Sequence, residues 1–317
     1  MKIFLIGGCG FIGSNLTNYL LKKYDFVKIK IVDSMITGKR AFLDTNLSNS
    51  KLEIIEDDVI NFNNLVKYIS GSDMIIHLAA NADIASSSIN PTIDFKNGTV
   101  LTNNVLEAMR LNNISKLIYS SGSGVYGDLG DACIFEDTGS FMPISTYGAS
   151  KLASESLISS YCHMFNINAT VYRFANVVGP NQTHGVGYDF IRKLRNNPKE
   201  LHILGNGKQL KPYIHVSDVI KAIDLSLFHN FQNKLNTFNL SNMDSISVDE
   251  IAKIVIQILK LNDVSITYSG GNIGWKGDVP FYNLDSSKIR SLLSWTHTMS
   301  SREAIIDSIK SNMYMDF

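Results

Sequence analysis

Tyr147 and Lys151, in the stretch STYGASKLASE, have the residue types and the spacing of a base and a cation that assists it. Four residues apart on a helix, they would lie on one face and one turn from each other. A free phenol has a pKa near ~10, so ionising it at neutral pH costs about 4 kcal/mol. A neighbouring ammonium offsets part of that cost. Tyr-x-x-x-Lys is also common on solvated helices, so the pair predicts catalysis only when other features support it.

A glycine-rich turn near the N-terminus gives that support. The segment GGCGFIGSN follows an apolar strand and places Gly7, Gly10 and Gly13 around the start of a helix that opens with Phe11 and Ile12. Glycines at this spacing allow a tight turn and let the backbone approach a pyrophosphate at the helix N-terminus. Because glycine-rich turns also occur without cofactors, the next strand has to support the interpretation.

Asp33 ends that second strand, at the distance expected for a ribose contact. Its carboxylate can accept hydrogen bonds from ribose hydroxyls and would repel a 2′-phosphate, which favours NAD over NADP. Gly38 follows in the same loop and is included in the predicted cofactor site. Lys39 and Arg40 lie close enough in sequence to keep NADP open.

Apolar runs alternate with helical patterns over the first half of the chain. The predicted strands are KIFLIG, KIKIVD, LEIIED, DMIIHLA, SKLIYSS and NATVYRF, and the predicted helices are Phe11–Tyr24, Asp94–Leu111 and Thr146–Phe165. Strands this apolar are buried on both faces, which indicates a doubly wound parallel α/β sheet.

The pattern loses its regularity after Pro180 and indicates a smaller, mixed α/β lobe for substrate binding. We expect residues 1–178 and about 209–242 to form the cofactor domain. The lobe would then comprise residues 179–208 and 243–317. KPYIHVSD is expected to return the chain to the main sheet.

Composition excludes several classes of function. The chain has 317 residues with 29 basic and 29 acidic side chains, so no net charge attracts nucleic acid or an anionic membrane. Its three cysteines and seven histidines lack the spacing of metal ligands. No apolar window has the length of a membrane span. We therefore expect a cytoplasmic protein with neither a metal nor a nucleic-acid partner.

Taken together, GGCGFIG, HLAANAD, SSGSGVYGD, YGASK and RFANVVGP resemble the extended short-chain dehydrogenase/reductase family, in its nucleotide-sugar epimerase/dehydratase branch. The resemblance runs from Lys2 to at least Trp295 and implies a Rossmann domain that binds NAD. It implies that Tyr147 is the general base and that Lys151 lowers its pKa and holds the nicotinamide ribose. It also implies adenine contacts from Asp58 and Val59, and a cofactor-lining segment formed by Leu78, Ala79, Ala80 and Asn81.

The resemblance also gives a role to YSSGSGVYG, where the family carries a hydroxyl that polarises the reacting sugar oxygen. Gly122 occupies the usual serine or threonine position. We favour Ser123 as the replacement, with Ser121 either the alternative or a residue that faces the cofactor. Because Gly122, Ser123 and Gly124 cannot exchange a proton at neutral pH, a dehydratase or decarboxylase is disfavoured.

What remains is NAD-dependent epimerisation of a nucleotide-sugar, at C4 through a 4-keto intermediate, with Tyr147 as the base. A nucleotide-sugar 4-ketoreductase that consumes NAD(P)H is the alternative. A non-catalytic NAD-binding regulator is the third possibility, and Gly122 is the feature that favours it.

The resemblance implies a substrate site as well, formed by Asn176, His184, Gly185, Val186, Lys211 and Asp278. Lys211 and Trp275 stand where the family commonly has arginines, in the case of Lys211 for the diphosphate. The resemblance therefore does not identify UDP-glucose as the substrate. Trp275 is either a core aromatic or a stacking partner for the base. The helices Asp94–Leu111 and Thr146–Phe165 resemble those of a dimer interface, and a homodimer is expected.

Overall fold

The computed structural model describes residues 1–81, 87, 89–139 and 141–315. Its strands are β1 (Lys2–Ile6), β2 (Lys28–Asp33), β3 (Leu52–Glu56), β4 (Met74–His77), β5 (Lys116–Gly122), β6 (Cys133–Ile134), β7 (Asn168–Phe174), β8 (Asn176–Val178), β9 (Glu200–Ile203), β10 (Leu210–Lys211), β11 (Tyr213–His215), β12 (Leu235–Leu240), β13 (Ile246–Ser247), β14 (Ser265–Tyr268) and β15 (Asn283–Leu284). Its helices are α1 (Phe11–Lys23), α2 (Phe62–Tyr68), α3 (Thr92–Asp94), α4 (Leu101–Leu111), α5 (Thr146–Met164), α6 (Val186–Asn196), α7 (Val216–Leu227), α8 (Val248–Ile258), α9 (Ser287–Leu293) and α10 (Ser301–Asn312).

A seven-stranded sheet forms the centre, in the order β3-β2-β1-β4-β5-β7-β12, and every pairing in it is parallel. The chain starts in the middle and winds outward in both directions, so the order reverses between β1 and β4. Such a reversal leaves a crevice at the carboxyl ends of the strands, where ligands of this fold class bind. The predicted doubly wound sheet is confirmed.

Both faces of the sheet are covered, which explains why its strands are apolar without interruption. In β1, Ile3 and Leu5 belong to one buried cluster, whereas Phe4 and Ile6 belong to a second cluster on the opposite face. A third cluster lies outside the sheet and is built by α6, α8, α10 and the short strands near them. The segment 282–295, which the predicted division assigns to the lobe, adds its buried side chains to the first cluster.

The KPYIHVSD prediction was wrong. This segment forms β11, which pairs with β8 in a separate two-stranded sheet. The last strand of the main sheet is β12, with the sequence LNTFNL, which pairs with β7. Asn236, Thr237 and Asn239 interrupt its apolar residues, so β12 lacks the continuous apolar pattern of the inner strands.

The predicted helix Asp94–Leu111 is divided. It consists of α3, a π-helical stretch from Phe95 to Val100, and α4. Gly98 lies in this stretch against α5, where a Cβ atom would overlap the Ser150 hydroxyl. The absence of a side chain therefore lets the two segments approach closely, and π-helical insertions of this kind often occur at functional sites.

A buried ion pair joins α5 to the sheet. Arg173 on β7 donates to both carboxylate oxygens of Glu155, with a shortest distance of 2.6 Å. The same guanidinium donates to the Tyr126 hydroxyl and lies 4.8 Å from the centres of the Tyr126 and Phe141 rings. Ser121, at the end of β5, donates to Glu155 at 2.5 Å. The network fixes α5 against the ends of β5 and β7.

Replacing Arg173 by Met should lower the free energy of unfolding by about 3–5 kcal/mol, because Glu155 would remain buried without its cation. Replacing Glu155 by Leu as well should cost much less than the sum of the two single changes. Urea denaturation of the two single variants and the double variant measures the coupling. Strictly additive losses would show that the pair does not act as a unit.

Candidate active site

Tyr147 and Lys151 lie in the first two turns of α5, which begins after the N-cap Ser145. The Lys151 ammonium donates to the Ser120 carbonyl at 2.6 Å. It also lies 5.7 Å from the centre of the Tyr147 ring and 4.9 Å from that of Tyr119. The end of β5 therefore holds the cation beside the tyrosine.

Burial governs the ionisation of both groups. It lowers the pKa of Lys151 to about 8, against the opposing effect of the Glu155 and Asp94 carboxylates. It raises the pKa of Tyr147 to about 12, and the charge of Asp94 acts in the same direction. At neutral pH the chain alone therefore keeps Lys151 mostly cationic and Tyr147 a neutral phenol. A further positive charge is needed before Tyr147 can act as a base.

The two candidate hydroxyls of YSSGSGVYG have different surroundings. Ser121 is buried and its hydroxyl is engaged by Glu155. Ser123 is partly exposed, and its side chain is close enough to the Tyr282 hydroxyl to lower the pKa of that group. Gly122 lies between them, and a Cβ atom there would have no neighbour within 4 Å. The position is open, and Ser123 is the less buried of the two hydroxyls.

Two glycines bring the Ser123–Tyr126 turn onto the start of α5. A Cβ atom on Gly148 would overlap the Gly124 carbonyl oxygen, and one on Gly124 would lie 3.4 Å from the Gly148 Cα. This close approach sets Ser123 beside the helical turn that carries Tyr147.

Sequence reasoning missed Tyr282. It is 7% exposed, and the Ser123 side chain and the Asn176 backbone are close enough to its hydroxyl to lower its pKa, against the larger effect of burial. Burial, together with the charge of Asp278, raises its pKa, so it remains a neutral phenol. Its place in the segment PFYNL indicates a core aromatic, and only the fold shows that it joins two predicted substrate residues.

Lys211 and Asp278, predicted as separate substrate contacts, are ion-paired with each other. Asp278 is buried and also accepts a hydrogen bond from the Gly274 N–H at 3.0 Å. Trp275 is partly buried and its carbonyl accepts from the Asp278 N–H. The Lys211 charge is thus largely balanced within the protein.

His184, Gly185 and Val186 form the entry to α6. Gly185 is the N-cap, with φ +99°, and no side chain caps this end of the helix. Uncapped backbone N–H groups and the helix dipole favour an anion at such a terminus.

The glycine turn between β1 and α1 fits a pyrophosphate. No side chain caps the N-terminus of α1, whose N-cap is Gly10. A Cβ atom on Gly13 would overlap the Gly7 carbonyl, and one on Gly7 would lie 2.9 Å from the Ala79 N–H nitrogen. At Gly10, however, a Cβ atom would meet only the Gly7 carbonyl oxygen, at 3.4 Å. Gly7 and Gly13 serve packing, whereas Gly10 leaves a cradle open above the helix end, next to Phe11 and Ile12.

Asp33 lies at the end of β2 and accepts hydrogen bonds from the backbone N–H groups of Cys9 and Met35, both at 2.9 Å. A Cβ atom on Gly38 would lie 2.7 Å from its carboxylate, so this loop closes over Asp33 because Gly38 has no side chain. The carboxylate is thereby fixed beside the glycine turn, as a ribose contact requires.

The remaining predicted cofactor residues follow β3 and β4. Asp58 is exposed and accepts from the Ile60 N–H at 3.1 Å, and Val59 is buried. The N–H groups of Leu78 and Ala79 donate to the Ile6 carbonyl, which places Ala80 and Asn81 past the end of β1. The fold thus brings the predicted cofactor residues together at the carboxyl ends of the strands.

Two classes of site are not found in the described part of the chain. No group of three or more His, Cys, Asp or Glu side chains there could hold a metal ion. Each helix described is too short or too polar to cross a lipid bilayer.

Comparison with known proteins places the site in context. Residues 3–241 match the model of the NAD dependent epimerase/dehydratase family. The chain is 28% identical to CDP-paratose 2-epimerase of Salmonella typhi, covering 96% of this chain and 97% of that one. It is 33% identical to a solved UDP-galactose 4-epimerase, with 98% of both chains covered and a TM-score of 0.86. It is 26% identical to UDP-glucuronic acid 4-epimerase of Bacillus cereus, solved with UDP-glucuronic acid and NAD, again with 98% of both chains covered and a TM-score of 0.89.

Replacing Gly10 by Ala should weaken NAD binding by at least about tenfold, because the added methyl group fills the cradle at the helix N-terminus. The free energy of unfolding should fall by no more than about 1 kcal/mol, since the methyl group meets no backbone atom closely. Gly13→Ala is the matched control, because its methyl group overlaps the Gly7 carbonyl and should destabilise the chain itself. Calorimetric NAD titration and thermal unfolding separate the two effects. Equal NAD affinity in Gly10→Ala and the wild type would show that the pyrophosphate does not bind at this helix N-terminus.

Proposed function

The chain belongs to the NAD-dependent epimerase/dehydratase family, and within that family we propose that it epimerises a nucleotide-sugar at C4. Tyr147 acts as the base that takes the proton of the C4 hydroxyl, and the sugar passes through a transient 4-keto form. The observation that carries the proposal is the continuity of the site. Tyr147 lies beside Lys151, and Gly124 and Gly148 bring the turn that carries Ser123 against the start of the same helix. Ser123, Asn176 and Asp278 are all close enough to Tyr282 to affect its pKa, so neutral polar groups connect the base to the Lys211–Asp278 pair.

When bound, NAD supplies the hydride acceptor for the first half of the reaction and the hydride donor for the second. The chain's own residues hold it through Gly10, Asp33 and the segment after β4. Lys151, fixed by the Ser120 carbonyl, would stabilise the phenolate of Tyr147 and would help to hold the nicotinamide ribose.

We assign the sugar-facing hydroxyl to Ser123, supported by Tyr282. The missing side chain at Gly122 leaves room beside it, so the hydroxyl that polarises the sugar oxygen comes from the next residue along the turn. Asn176 and Lys211, together with the uncapped N-terminus of α6, hold the diphosphate.

The acids near the site favour epimerisation over dehydration. Glu155 is engaged by Arg173 and Ser121, and both oxygens of Asp94 accept hydrogen bonds from neighbouring side chains. A dehydratase needs an acid that is free to donate a proton to the leaving hydroxyl. Neither of these two carboxyl groups is placed for that task.

We also propose a homodimer formed through α4, α5 and the π-helical stretch before α4. Large apolar side chains are exposed on this side of the molecule at Phe95, Leu111 and Met164.

The reaction is tested by incubating the purified protein with UDP-, GDP-, CDP- and dTDP-hexoses in deuterated water without added cofactor. Conversion to a C4 epimer without deuterium incorporation, followed by NMR, is the expected result and identifies the sugar and the base. Deuterium at C3 or C5 would mean enolisation and a different epimerase. Inversion at C2 would mean that the same NAD-dependent epimerisation takes place at C2 instead of C4.

If no sugar is converted while NAD remains bound, the proposal fails. NADPH consumption with a 4-keto sugar would then identify a ketoreductase. The absence of both activities would favour a regulator.

Replacing Ser123 by Ala should lower kcat by about 10²- to 10³-fold, because the sugar oxygen loses its hydrogen-bond donor. Adding Gly122→Ser to this variant should restore much of the rate, since a hydroxyl at position 122 enters open space beside the same turn. Gly122→Ser alone serves as the control for folding. Unchanged kcat in Ser123→Ala would exclude Ser123 from the reaction.

The pH dependence should be bell-shaped. With NAD bound, its positive charge should bring the pKa of Tyr147 from about 12 to below that of Lys151. Activity should then rise with pH as Tyr147 loses its proton and fall at higher pH as Lys151 loses its own. In Lys151→Arg the charge persists at every accessible pH, so the alkaline decline should disappear while kcat decreases. The profile of kcat/KM measures both limbs. An alkaline limb that stays near the same pH in Lys151→Arg would assign it to another group.

A further inference from the structure

A buried carboxylate that the sequence did not single out lies next to the catalytic helix. Asp94, the last residue of α3, is 2% exposed. One carboxylate oxygen accepts from the Asn81 side-chain amide at 2.9 Å, and the other accepts from the Thr146 hydroxyl at 2.7 Å. Its backbone carbonyl accepts from the Ser150 hydroxyl at 2.7 Å. Both oxygens act as acceptors, as an ionised carboxylate does, and neither of these partners is a cation.

We propose that Asp94 is a positioning residue of the active site, whose carboxylate joins the first turn of α5 to the cofactor-lining segment after β4 and whose charge balances that of Lys151. The inference rests on the proposed role of Tyr147 as the base. It goes beyond that role because it names the group that sets the pH at which the base can work.

The contacts give the positioning part. Thr146 directly precedes Tyr147 in the chain, and Asn81 ends the predicted cofactor segment. A single carboxylate therefore fixes the distance between the helix that carries the base and the segment that lines the cofactor. Ser150, bonded to the Asp94 carbonyl, adds a second tie one turn further along α5.

The charges around the site give the electrostatic part. The charged and titratable groups that interact with Asp94, Tyr147 or Lys151 in the described chain are Glu155 on α5, Tyr119 on β5 and His77 on β4. His77 is neutral, because burial lowers its pKa to about 3. Glu155 is already neutralised by Arg173. Among the described residues, Lys151 and Asp94 therefore remain as a cation and an anion that form no salt bridge, and Asp94 acts on both Tyr147 and Lys151.

The direction of the effect follows from the sign of the charge. The Asp94 carboxylate raises the pKa of Tyr147, because a negative charge opposes formation of a phenolate. It also raises the pKa of Lys151, because it stabilises the ammonium. Removing the charge should lower both pKa values, so both limbs of the pH profile should move to lower pH together.

The test compares kcat/KM against pH for Asp94→Asn and the wild type, with NAD bound. The side-chain amide of this variant keeps an acceptor for Asn81 and a polar group for Thr146, so its main change is the loss of charge. We expect both limbs to shift to lower pH by about one unit. A variant that folds and shows lower kcat with unmoved limbs would overturn the electrostatic part and leave Asp94 a structural tie.

Matched variants separate charge from structure. Thr146→Val removes one hydrogen bond and keeps the carboxylate, so kcat should fall without a shift of the limbs. Asp218→Asn neutralises another buried aspartate, which likewise accepts from a threonine hydroxyl, that of Thr298, and should leave the profile in place. Asp94→Ser is a second neutral variant in case Asp94→Asn folds poorly, and limbs that stay in place in Asp94→Ser would equally overturn the electrostatic part.

A readout without turnover keeps this test independent of the proposed reaction. The phenolate of Tyr147 is followed by near-ultraviolet absorbance of the NAD-bound protein, with Tyr147→Phe subtracted as the blank. Ionisation at lower pH in Asp94→Asn would support the inference even if no sugar is epimerised. An identical titration in both proteins would overturn it even if the sugar is converted.

Discussion

The buried pair of Arg173 and Glu155 is the interaction on which the geometry of the site depends. Glu155 lies eight residues after Tyr147 and four after Lys151, so the three side chains project from the same side of α5. Anchoring Glu155 to β7 therefore orients the whole catalytic face. The same carboxylate holds Ser121 at the end of β5, which aligns the strand end with the helix.

Buried pairs of this kind add little net stability, because the desolvation of both ions offsets their attraction. What the pair contributes here is a defined arrangement. Arg173 also contacts Tyr126, Phe141 and the Glu136 carbonyl, so one guanidinium links β7 to the turn after β5 and to the segment beyond β6. A purely apolar contact would allow α5 to slide along the sheet, whereas directional hydrogen bonds do not.

The sequence predicted the sheet because the strands are short, apolar and separated by helices. It predicted the glycine turn, Asp33 and the Tyr147–Lys151 pair because each has a local pattern. KPYIHVSD has the apolar pattern of a main-sheet strand yet pairs outside that sheet, whereas β12, which joins the sheet, has an apolar pattern interrupted by buried asparagines. Strand pairing is a contact between distant segments, and a local pattern does not encode it.

Tyr282 and Asp94 could not be found from sequence for the same reason. A tyrosine near the end of an apolar segment and an aspartate at the start of a helical pattern are ordinary residues in ordinary places. Their roles arise from partners far away in the chain, since Tyr282 meets Ser123 and Asn176, and Asp94 meets Asn81 and Thr146. Lys211 and Asp278 illustrate the reverse case, in which two residues expected to face a ligand separately instead neutralise each other.

Burial and these charges explain why Tyr147 stays a neutral phenol in the chain alone. Burial disfavours the phenolate of Tyr147, Asp94 adds to that effect, and burial also weakens the hold of Lys151 on its proton. Lys151 and Asp94 already balance each other, so a phenolate formed without a cofactor would leave the site with an excess negative charge, which is costly. The positive charge that oxidised NAD would add is the one that a phenolate could offset. In the proposed reaction, proton removal by Tyr147 would thereby depend on the presence of the group that accepts the hydride, through burial and one carboxylate rather than through a moving part.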